Sequence, residues 1–304
     1  MELLYWFESV RTPVLDVLMS LVTHLGEEAC FMAAALLVLW CVDKRRGYYL
    51  LTVGFAGTLA SQWLKIACRV PRPWVRDPGF TIVESARAEA GGYSFPSGHT
   101  QCAVGWLGGV ARFSRSVWVR IVCVALLLAV PVSRMYLGVH TPADVGVSFV
   151  LAAALVFAVY PLVESTLWFP ERMYIIIGGM LAVSLAFVGF VELWPFPADI
   201  DRLNLAAAVK NAYSMAGAAA GVLVVYAFDS SCLHFPTRAP WWGQAVKLAG
   251  GLALVAAVKS LLKAPLLALY AGVPIAHSVR YFLVVLTAGC LWPMTFRVFA
   301  RYAK

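Results

Sequence analysis

The sequence predicts an all-α membrane protein, a polytopic helix bundle in which a core is followed by about four additional transmembrane helices. The first observation is composition: 62% of the 304 residues are hydrophobic and only 13% are charged, whereas a soluble domain carries about 25% charged residues. The second is the mean hydropathy of +0.79. The third is a series of apolar runs, separated by polar gaps, that are long enough to cross or nearly cross a bilayer.

The first three apolar runs lie in the N-terminal quarter of the chain. The run near 13–24 is short and contains Asp16, so it fits either a tilted span or an interfacial helix. Clear spans follow at about 28–42 and 48–67, with three consecutive cations at 44–46 between them. The first run is therefore left open, and the next two are predicted to cross the membrane.

A long polar loop at 68–95, interrupted by prolines and glycines, separates these runs from the rest of the chain. Further spans are predicted at about 98–111, 119–132, 142–163, 173–193, 205–228, 245–270 and 278–298. The total is nine or ten spans. We divide the chain into a core at 1–168 and additional C-terminal helices of unassigned role at 169–304.

Basic residues predict the orientation of the chain. The net charge is +8, but the lysines and arginines fall mainly in the gaps between apolar runs, which is typical of topology determinants and argues against a nucleic-acid partner. If the cations at 44–46 are cytoplasmic, strict alternation places the other basic gaps on the same side: Arg112/Arg115/Arg120, Arg238/Lys247 and Arg297/Arg301/Lys304. The 68–95 loop and the 133–142 turn then lie outside.

The outer loop nevertheless keeps positive charge, at Arg69, Arg72, Arg76 and Arg87. Cations on the side where the charge rule does not expect them indicate an anionic ligand there.

The seven cysteines lie mostly within apolar runs, are odd in number and form no CxxC pair. This pattern argues against a disulfide framework and against a zinc site. We expect no metal and no cofactor.

The first polar cluster consists of Lys65 and Arg72, followed by Pro73. The two cations are seven residues apart, close to two helical turns, so a continuous helix would direct both toward one ligand. Pro71 and Pro73 instead favour an Arg72 that lies where the helix gives way to a loop. Lysine supplies a point charge and arginine a planar donor fork, and both suit phosphate oxygens. Two cations extending from a helix end toward water would explain this pair alone.

The second cluster is Pro96-Ser97-Gly98-His99, directly before an apolar helix. A helix N-terminus presents unpaired N–H groups and suits a phosphate, Ser97 adds a hydroxyl, and Gly98 lets the backbone approach closely. His99 is a candidate general acid. Ordinary helix capping also explains these residue types.

The third cluster is Ser133-Arg134 with His140 and Asp144. Thr141, with Pro142 next and Asp144 three residues on, makes a capping arrangement that would explain the acid without function. A carboxylate one turn from His140 can also hold one imidazole nitrogen protonated and leave the other as a nucleophile. Both interpretations are compatible, and Arg134 adds a third cation.

Together the three clusters resemble the motifs of the type-2 phosphatidic acid phosphatase superfamily. Lys65 through Arg72-Pro73 matches KxxxxxxRP, Pro96 to His99 matches PSGH, and Ser133-Arg134 through His140 to Asp144 matches SRxxxxxHxxxD. The resemblance covers about residues 48–165. It implies a phosphatase core within the predicted bundle.

The resemblance also implies roles for individual residues. His140 would be the nucleophile that forms a phosphohistidine, Asp144 would orient it, and His99 would protonate the leaving alcohol and then activate water. The phosphoryl oxygens would be held, without a metal, by Lys65, Arg72, Ser97, Gly98 and Arg134.

The implied activity is hydrolysis of a lipid phosphate such as phosphatidic acid, phosphatidylglycerol phosphate or polyprenyl diphosphate. Two alternatives use the same scaffold: a lipid phosphotransferase, and a lipid-phosphate binding or transport protein. A vanadate-dependent haloperoxidase has a similar pocket but is soluble, so the predicted spans count against it. The presence of both His99 and His140 favours an active enzyme.

The C-terminal third holds four further cations within or near predicted spans: Lys210, Lys259, Lys263 and Arg280. No Asp or Glu occurs from Ser230 to the C-terminus. Lys259 and Lys263 share one helix face, where like charges repel. Extension of their side chains toward water, together with pairing with Glu192, Asp199 or Asp201, would explain these cations. A groove for an anionic headgroup or second phosphate, on the same side as the active site, is the functional alternative.

The expected partners are the lipid bilayer and a membrane lipid phosphate, with a homo-oligomer left open. The absence of an N-x-[ST] sequon favours a bacterial plasma membrane. The active site is expected on its extracytoplasmic face.

Overall fold

The computed structural model describes residues 1–302, and their regular secondary structure is entirely helical. This confirms the all-α class. Lys304, one of the predicted cytoplasmic cations, lies outside the described residues.

The chain forms two compact units. Unit 1 combines Met1–Ala34 with Tyr49–Pro161, and unit 2 combines Ala35–Tyr48 with the chain from Leu162 onward. Residues 35–48 thus group with the C-terminal helices, although they precede most of unit 1 in sequence. The division at 168 that we draw from the sequence stays a prediction.

Unit 1 contains most of the first eight helices. They are α1 (Glu2–Ser9), α2 (Pro13–Thr23), α3 (Glu28–Leu37), α4 (Lys44–Cys68), α5 (Pro73–Arg76), α6 (Gly98–Phe113), α7 (Val117–Tyr136) and α8 (Pro142–Glu164). Short 3₁₀ turns at His24–Gly26 and Glu84–Ala86 lie between them. Side chains of α6, α7 and α8 form one buried cluster that includes Leu107, Val130 and Ala152.

Unit 2 is built mainly from the later helices, α9 (Arg172–Leu193), α10 (Arg202–Phe228), α11 (Trp241–Leu261), α12 (Lys263–Leu269), α13 (Ile275–Leu286) and α14 (Phe296–Ala300). Helices α10 and α13 pack at backbone distance, since a Cβ on Gly217 would lie 2.0 Å from the Ser278 carbonyl oxygen. The Ser278 hydroxyl donates to the Tyr213 carbonyl across the same contact, at 2.6 Å.

Residues 35–48 are held in unit 2 by two kinds of contact. Trp40 is fully buried and donates from Nε1 to the Ala288 carbonyl at 3.1 Å. Lys44 forms an ion pair of 2.7 Å with the buried Asp229 carboxylate, and its Nζ lies 3.7 Å from the centre of the Phe235 ring.

Within residues 1–302, six helical segments are long and apolar enough to cross a membrane, and a seventh if a broken pair counts as one span. Four of the six belong to the C-terminal part, as predicted. The pair consists of Pro13–Gly26 and Glu28–Val42, bent by 50°. The 13–24 segment, for which the sequence left two interpretations, is therefore one arm of a broken span or re-entrant loop.

The total is lower than the nine or ten that the apolar runs predict, and the difference beyond the broken pair lies in α4 and α6. Helix α6 has only 16 residues. Helix α4 has 25 residues but mixes polar residues with apolar ones. Protein surrounds much of both helices, as the burial of Tyr49, Val53 and Val104 shows, so they do not need a fully apolar surface. Their polar residues are available to a site.

Candidate active site

Four chain segments of unit 1 meet around one cavity of about 400 Å³. They are residues 26–28, the end of α4 with the loop after it, the start of α6, and the end of α7 with the turn before α8. Six of the predicted site residues line the cavity: Lys65, Arg72, Gly98, His99, Arg134 and His140. Ser97 and Asp144 are buried and are not among its lining residues.

The two histidines therefore face one cavity although they are 41 residues apart in sequence. His99 lies in the first turn of α6, directly after the N-cap Ser97. His140 lies in the turn before α8. The start of α6 is tied to the start of α8 because the Ser97 N–H donates to the Asp144 carbonyl oxygen at 3.2 Å.

The tautomer of His140 follows from its contact with Arg72. The Arg72 Nη1 lies 3.0 Å from His140 Nε2. A guanidinium can only donate, so Nε2 has to be the accepting, unprotonated nitrogen. The ring proton of neutral His140 then sits on Nδ1, and the lone pair of Nε2 is directed toward the cation that lines the cavity.

The Nδ1 side of His140 faces Ser94 and Asp144. Asp144 Oδ2 lies 3.6 Å from Nδ1, and the Ser94 hydroxyl lies 3.5 Å from the same nitrogen. Ser94 donates a short bond of 2.6 Å to Asp144 Oδ2. Ser94 thus lies beside both the ring and the carboxylate and is hydrogen-bonded to the carboxylate.

Asp144 also caps helix α8. Its Oδ2 accepts from the Thr141 N–H at 2.7 Å, while its own N–H donates to the Thr141 hydroxyl at 3.3 Å. This reciprocal pair is a capping box. The capping and orienting interpretations of Asp144 are therefore compatible in one geometry.

Burial shifts the titration of the groups in this turn and loop. It lowers the pKa of His140 well below its ordinary value, and the positive charges of Arg72, Arg134 and Lys65 lower it further. Burial also lowers the pKa of Arg72, to about 10, which leaves this side chain cationic at neutral pH. A neutral imidazole beside a charged guanidinium is the resulting state.

Arg72 is not on α4, because that helix ends at Cys68 and Arg72 is the N-cap residue of the short α5. The helix-face alternative for Lys65 and Arg72 is therefore wrong, and the loop alternative is the one the structure adopts. Backbone carbonyls hold the Arg72 guanidinium in place: those of Gly91, Gly92 and Val139, at 2.8–3.0 Å.

The other two cations are held less completely. Lys65 Nζ donates to the Tyr93 carbonyl at 2.8 Å. Arg134 is fully buried and donates from Nη1 to the Thr23 hydroxyl at 2.9 Å. Its Nε and Nη2 have no hydrogen-bond partner in the described part of the chain. Buried donors without partners are costly, so an anion in the cavity would stabilise this arrangement.

Gly98 has the open surroundings that a close backbone approach to a ligand requires. A Cβ built on it meets no atom within 4 Å, and the residue lines the cavity. The absence of a side chain therefore leaves room for a ligand. Ser97 acts as the α6 N-cap, with its hydroxyl accepting from the Thr100 N–H at 3.4 Å.

Glu89 is a site residue that the motif analysis does not identify. It comes from the 68–95 loop, lines the cavity, and its Oε2 lies 3.5 Å from His99 Nε2. Ser94 is the second such residue. Neither residue stands at a motif position. Their polar side chains, a few residues before Pro96, are the one feature of the sequence that could have identified them.

A possible ligand set lies beside the cavity. His24, Glu27 and Glu89 offer ligand atoms that all lie within 4.8 Å of one another, and His24 Nδ1 contacts Glu27 directly. These side chains are partly or largely exposed, and exposed acidic groups often cluster without a metal. The cluster supports no metal assignment.

The four C-terminal cations are not part of this cavity. Lys210, Lys259, Lys263 and Arg280 all belong to unit 2. No acid lies within ion-pair distance of any of them in residues 1–302. Asp201, a predicted partner, instead caps α10 by accepting from the Leu203 and Asn204 N–H groups. The pairing explanation is wrong for these residues.

Comparison with known protein families gives two matches. The family described as the PAP2 superfamily matches residues 45–168. A second family, described as the PAP2 superfamily phosphatase transmembrane extension, matches residues 213–304. Searches of curated proteins and of solved structures found no match.

Proposed function

Because the chain belongs to the PAP2 superfamily and is a membrane phosphatase, we propose that it hydrolyses a lipid phosphate through a phosphohistidine on His140. The substrate classes are phosphatidic acid, phosphatidylglycerol phosphate and polyprenyl diphosphate. The observation that carries the proposal is the Arg72 contact, since it identifies Nε2 as the unprotonated nitrogen of a neutral His140, a residue that lines the cavity.

Substrate binding is the first step. A phosphoryl group carries negative charge on its equatorial oxygens, so prepositioned cations and N–H donors are what its transfer requires. Arg72, Arg134 and Lys65 supply three cations around one cavity. The free Nε and Nη2 of Arg134 are donors for the phosphoryl oxygens, and the open space at Gly98 accommodates them.

Phosphoryl transfer to the enzyme follows. His140 Nε2 attacks phosphorus and forms a P–N bond while the bond to the lipid oxygen breaks. The protonated His99 donates its proton to the departing oxygen, and a lipid alcohol leaves. His140 becomes cationic, and the Asp144 carboxylate stabilises that charge through Nδ1–H and Ser94.

Hydrolysis completes the cycle. The now neutral His99 takes a proton from water, the water oxygen attacks phosphorus, and the P–N bond breaks. Inorganic phosphate leaves, and His140 returns to its neutral form with Nδ1 protonated. Burial and then the charges of Arg134 and Arg72 lower the pKa of His99 to about 3, so its protonated form depends on negative charge nearby. A bound phosphate dianion, together with Glu89 at 3.5 Å from His99 Nε2, supplies that charge for the next turnover.

A lipid substrate is supported by the position of the site. Helices α7 and α8, which border it, are apolar enough to cross a membrane, so the cavity lies at the ends of membrane helices, where the headgroup of a substrate anchored in the bilayer is close. The alternation of basic gaps along the sequence favours an extracytoplasmic site.

The test is a substrate panel with purified protein in detergent micelles. Phosphatidic acid, phosphatidylglycerol phosphate, a polyprenyl diphosphate, glucose 6-phosphate and glycerol 3-phosphate are compared by phosphate release, with His140→Ala as the inactive control. At least one lipid should exceed both soluble phosphates in kcat/KM by tenfold or more. Faster release from the soluble compounds would overturn the lipid assignment.

The intermediate has its own measurement. A ³²P-labelled substrate should leave acid-labile, base-stable label on the His99→Ala protein, in which breakdown of the phosphohistidine is slowed. The double variant with His140→Ala should carry no label. Label that survives loss of His140 would contradict the assigned nucleophile.

A further inference from the structure

We propose that unit 2 contains a second lipid-binding site, separate from the catalytic cavity and selective for a lipid with a phosphate monoester headgroup. The headgroup site is the basic cluster formed by Lys210, Lys263 and Arg280 around His277. The acyl chain site is the apolar groove between α10, α11 and α13. This inference goes beyond hydrolysis and does not depend on it.

The basic cluster gathers cations from three chain segments. Lys210 lies in the third turn of α10, Lys263 starts α12, and Arg280 lies in the second turn of α13. The Ser278 hydroxyl donates to the Tyr213 carbonyl, so the turn of α10 that holds Lys210 packs beside His277 and Arg280 on α13. The His277 ring is subject to the positive charges of Arg280, Lys210 and Lys263. Lys259 of α11 lies at the edge, since its Nζ and the Arg280 guanidinium approach the same Tyr281 ring, at 5.8 and 5.1 Å.

Arg280 is the residue that indicates a ligand. Its side chain is only 5% exposed, and its Nε has no hydrogen-bond partner among the described residues. A buried guanidinium without an acid is unfavourable unless an anion accompanies it. The neighbouring cations increase that cost, and a phosphate dianion would offset both.

The nearby acids do not meet this need. Asp201 caps α10, and Glu192 makes no ion pair with these cations within residues 1–302. No acid follows residue 229 in the sequence. The cluster thus keeps an excess of positive charge that the protein itself does not neutralise.

The apolar groove continues from the cluster along the same helices. It has a volume of about 410 Å³ and is lined by side chains that include Val224, Val258, Leu262, Leu283, Leu286 and Met294. Leu262 directly precedes Lys263, and Leu283 is one turn from Arg280, so the two sites adjoin. From Leu283 to Met294 the helical path is about 16 Å, at 1.5 Å per residue, which accommodates much of an acyl chain.

The combination identifies the ligand as a lipid. A free phosphate, or a soluble phosphate ester, would satisfy the cluster but leave the groove unused. A neutral lipid would fill the groove but leave Arg280 without an anion. Only a molecule with both parts satisfies the two observations.

The experiment counts bound lipids by native mass spectrometry on the full-length His140→Ala protein, which cannot consume the probe. Dioctanoyl phosphatidic acid is titrated, with dioctanoyl phosphatidylcholine and glycerol 3-phosphate as separate arms. Two phosphatidic acid molecules should bind per chain. In the Lys210→Gln/Lys263→Gln protein the second should bind about tenfold or more weakly, because hydrogen bonds from a charged donor to the phosphate are removed.

Matched controls separate the cluster from total charge and from folding. Arg238→Gln removes one positive charge from an exposed position before the other end of α11 and should retain both lipids. Leu286→Trp, which fills the groove, should weaken the second phosphatidic acid about tenfold. Leu185→Trp, at an exposed position on α9, should not.

Three results would overturn the proposal. The second lipid could bind with an unchanged Kd to the Lys210→Gln/Lys263→Gln protein. Phosphatidylcholine could bind there as tightly as phosphatidic acid, which would remove the role of the phosphate monoester. Glycerol 3-phosphate could compete as strongly as the lipid, which would make the ligand a soluble phosphate. Lys263→Gln alone, at an exposed side chain, repeats the test if the double variant does not fold.

Discussion

At the scale of single residues, the catalytic cavity is organised by contacts that fix hydrogen positions. Arg72 donates to His140 Nε2, and Ser94 donates to Asp144 while facing His140 Nδ1. A sequence motif can predict that a histidine and an acid meet. It cannot predict that Ser94 lies beside both of them, because this requires the position of a loop residue 46 positions from His140.

Replacement of Ser94 by Ala should lower kcat about tenfold with little change in KM. The variant loses the hydroxyl that couples Asp144 to the imidazole, while the phosphate-binding cations stay in place. Phosphate release at saturating substrate measures the effect. Ser148→Ala is the matched control, since Ser148 is also buried but donates to the Asp144 carbonyl rather than to its carboxylate. Equal losses in both variants would point to a purely structural role for Ser94.

Glu89→Gln should shift the alkaline limb of the kcat profile to lower pH. The carboxylate 3.5 Å from His99 favours the protonated imidazole, so its removal lets His99 lose its proton earlier as the pH rises. KM should change less than twofold. Glu84→Gln, in the same loop but paired with Arg87 at the surface, should leave the profile unchanged; a shift in that control would indicate a general charge effect.

The acid limb of kcat/KM should lie below pH 6.5, the ordinary histidine value. Burial and the surrounding cations lower the pKa of His140, so the neutral nucleophile persists as the pH falls and is lost only when the pH passes through the lowered value. By the same linkage, stability should decrease below about pH 6.5, where the unfolded chain binds a proton that folded His140 does not. An acid limb above pH 6.5 that survives Glu89→Gln would contradict this.

At the scale of elements, the residues of the catalytic cavity lie at helix ends. The positions of these helix ends could be predicted from the sequence to different degrees. The N-caps of α6 and α8 follow from Ser97 and Thr141, which the sequence identifies. The end of α4 at Cys68 was left open by the spacing of Lys65 and Arg72, because prolines at 71 and 73 competed with helical periodicity. Apolar runs in the sequence overestimated the number of membrane spans. The overestimate concerns helices that are largely surrounded by protein, such as α4, where Tyr49 is buried.

Gly26→Ala should reduce both activity and stability. A Cβ at this position would lie 2.7 Å from the His99 carbonyl oxygen and 2.9 Å from Val130, so the start of α6 has to move. Overpacking of this kind costs about 1–3 kcal/mol, and the displaced His99 should lower kcat. Gly178→Ala on α9, where a Cβ meets no atom within 4 Å, is the control and should not lower the Tm. A Gly26→Ala protein with normal Tm and kcat would contradict the tight contact.

At the scale of the whole molecule, sequence patterns predicted the class, the family and the presence of four C-terminal spans. They did not predict that residues 35–48 belong with those spans. The partners of Trp40 and Lys44 are Ala288 and Asp229, and no local pattern connects segments so far apart. The basic cluster is a second example. Each of its cations could be identified in the sequence, but their grouping around His277 could not be predicted from it.

The proposed orientation predicts opposite accessibility for two native cysteines. Cys68, exposed at the end of α4, belongs to the loop expected outside, and Cys232, also exposed, belongs to a gap expected in the cytoplasm. In variants that retain one cysteine each, with the others changed to Ser, a membrane-impermeant maleimide added to intact cells should label only Cys68. Permeabilised cells, in which both should react, are the control. Labelling of Cys232 alone from outside would invert the topology.

The ion pair of Lys44 with Asp229 has a consequence for biosynthesis. Its two residues are separated by 185 positions, and Trp40 is 248 positions from the carbonyl it contacts. During translation from the N-terminus, residues 35–48 cannot form these contacts until nearly the whole polypeptide has been synthesised. If the chain were expressed as two fragments divided between α8 and α9, Trp40 and Lys44 in the first fragment would lack their partners in the second. In the single chain, both partners belong to the same polypeptide.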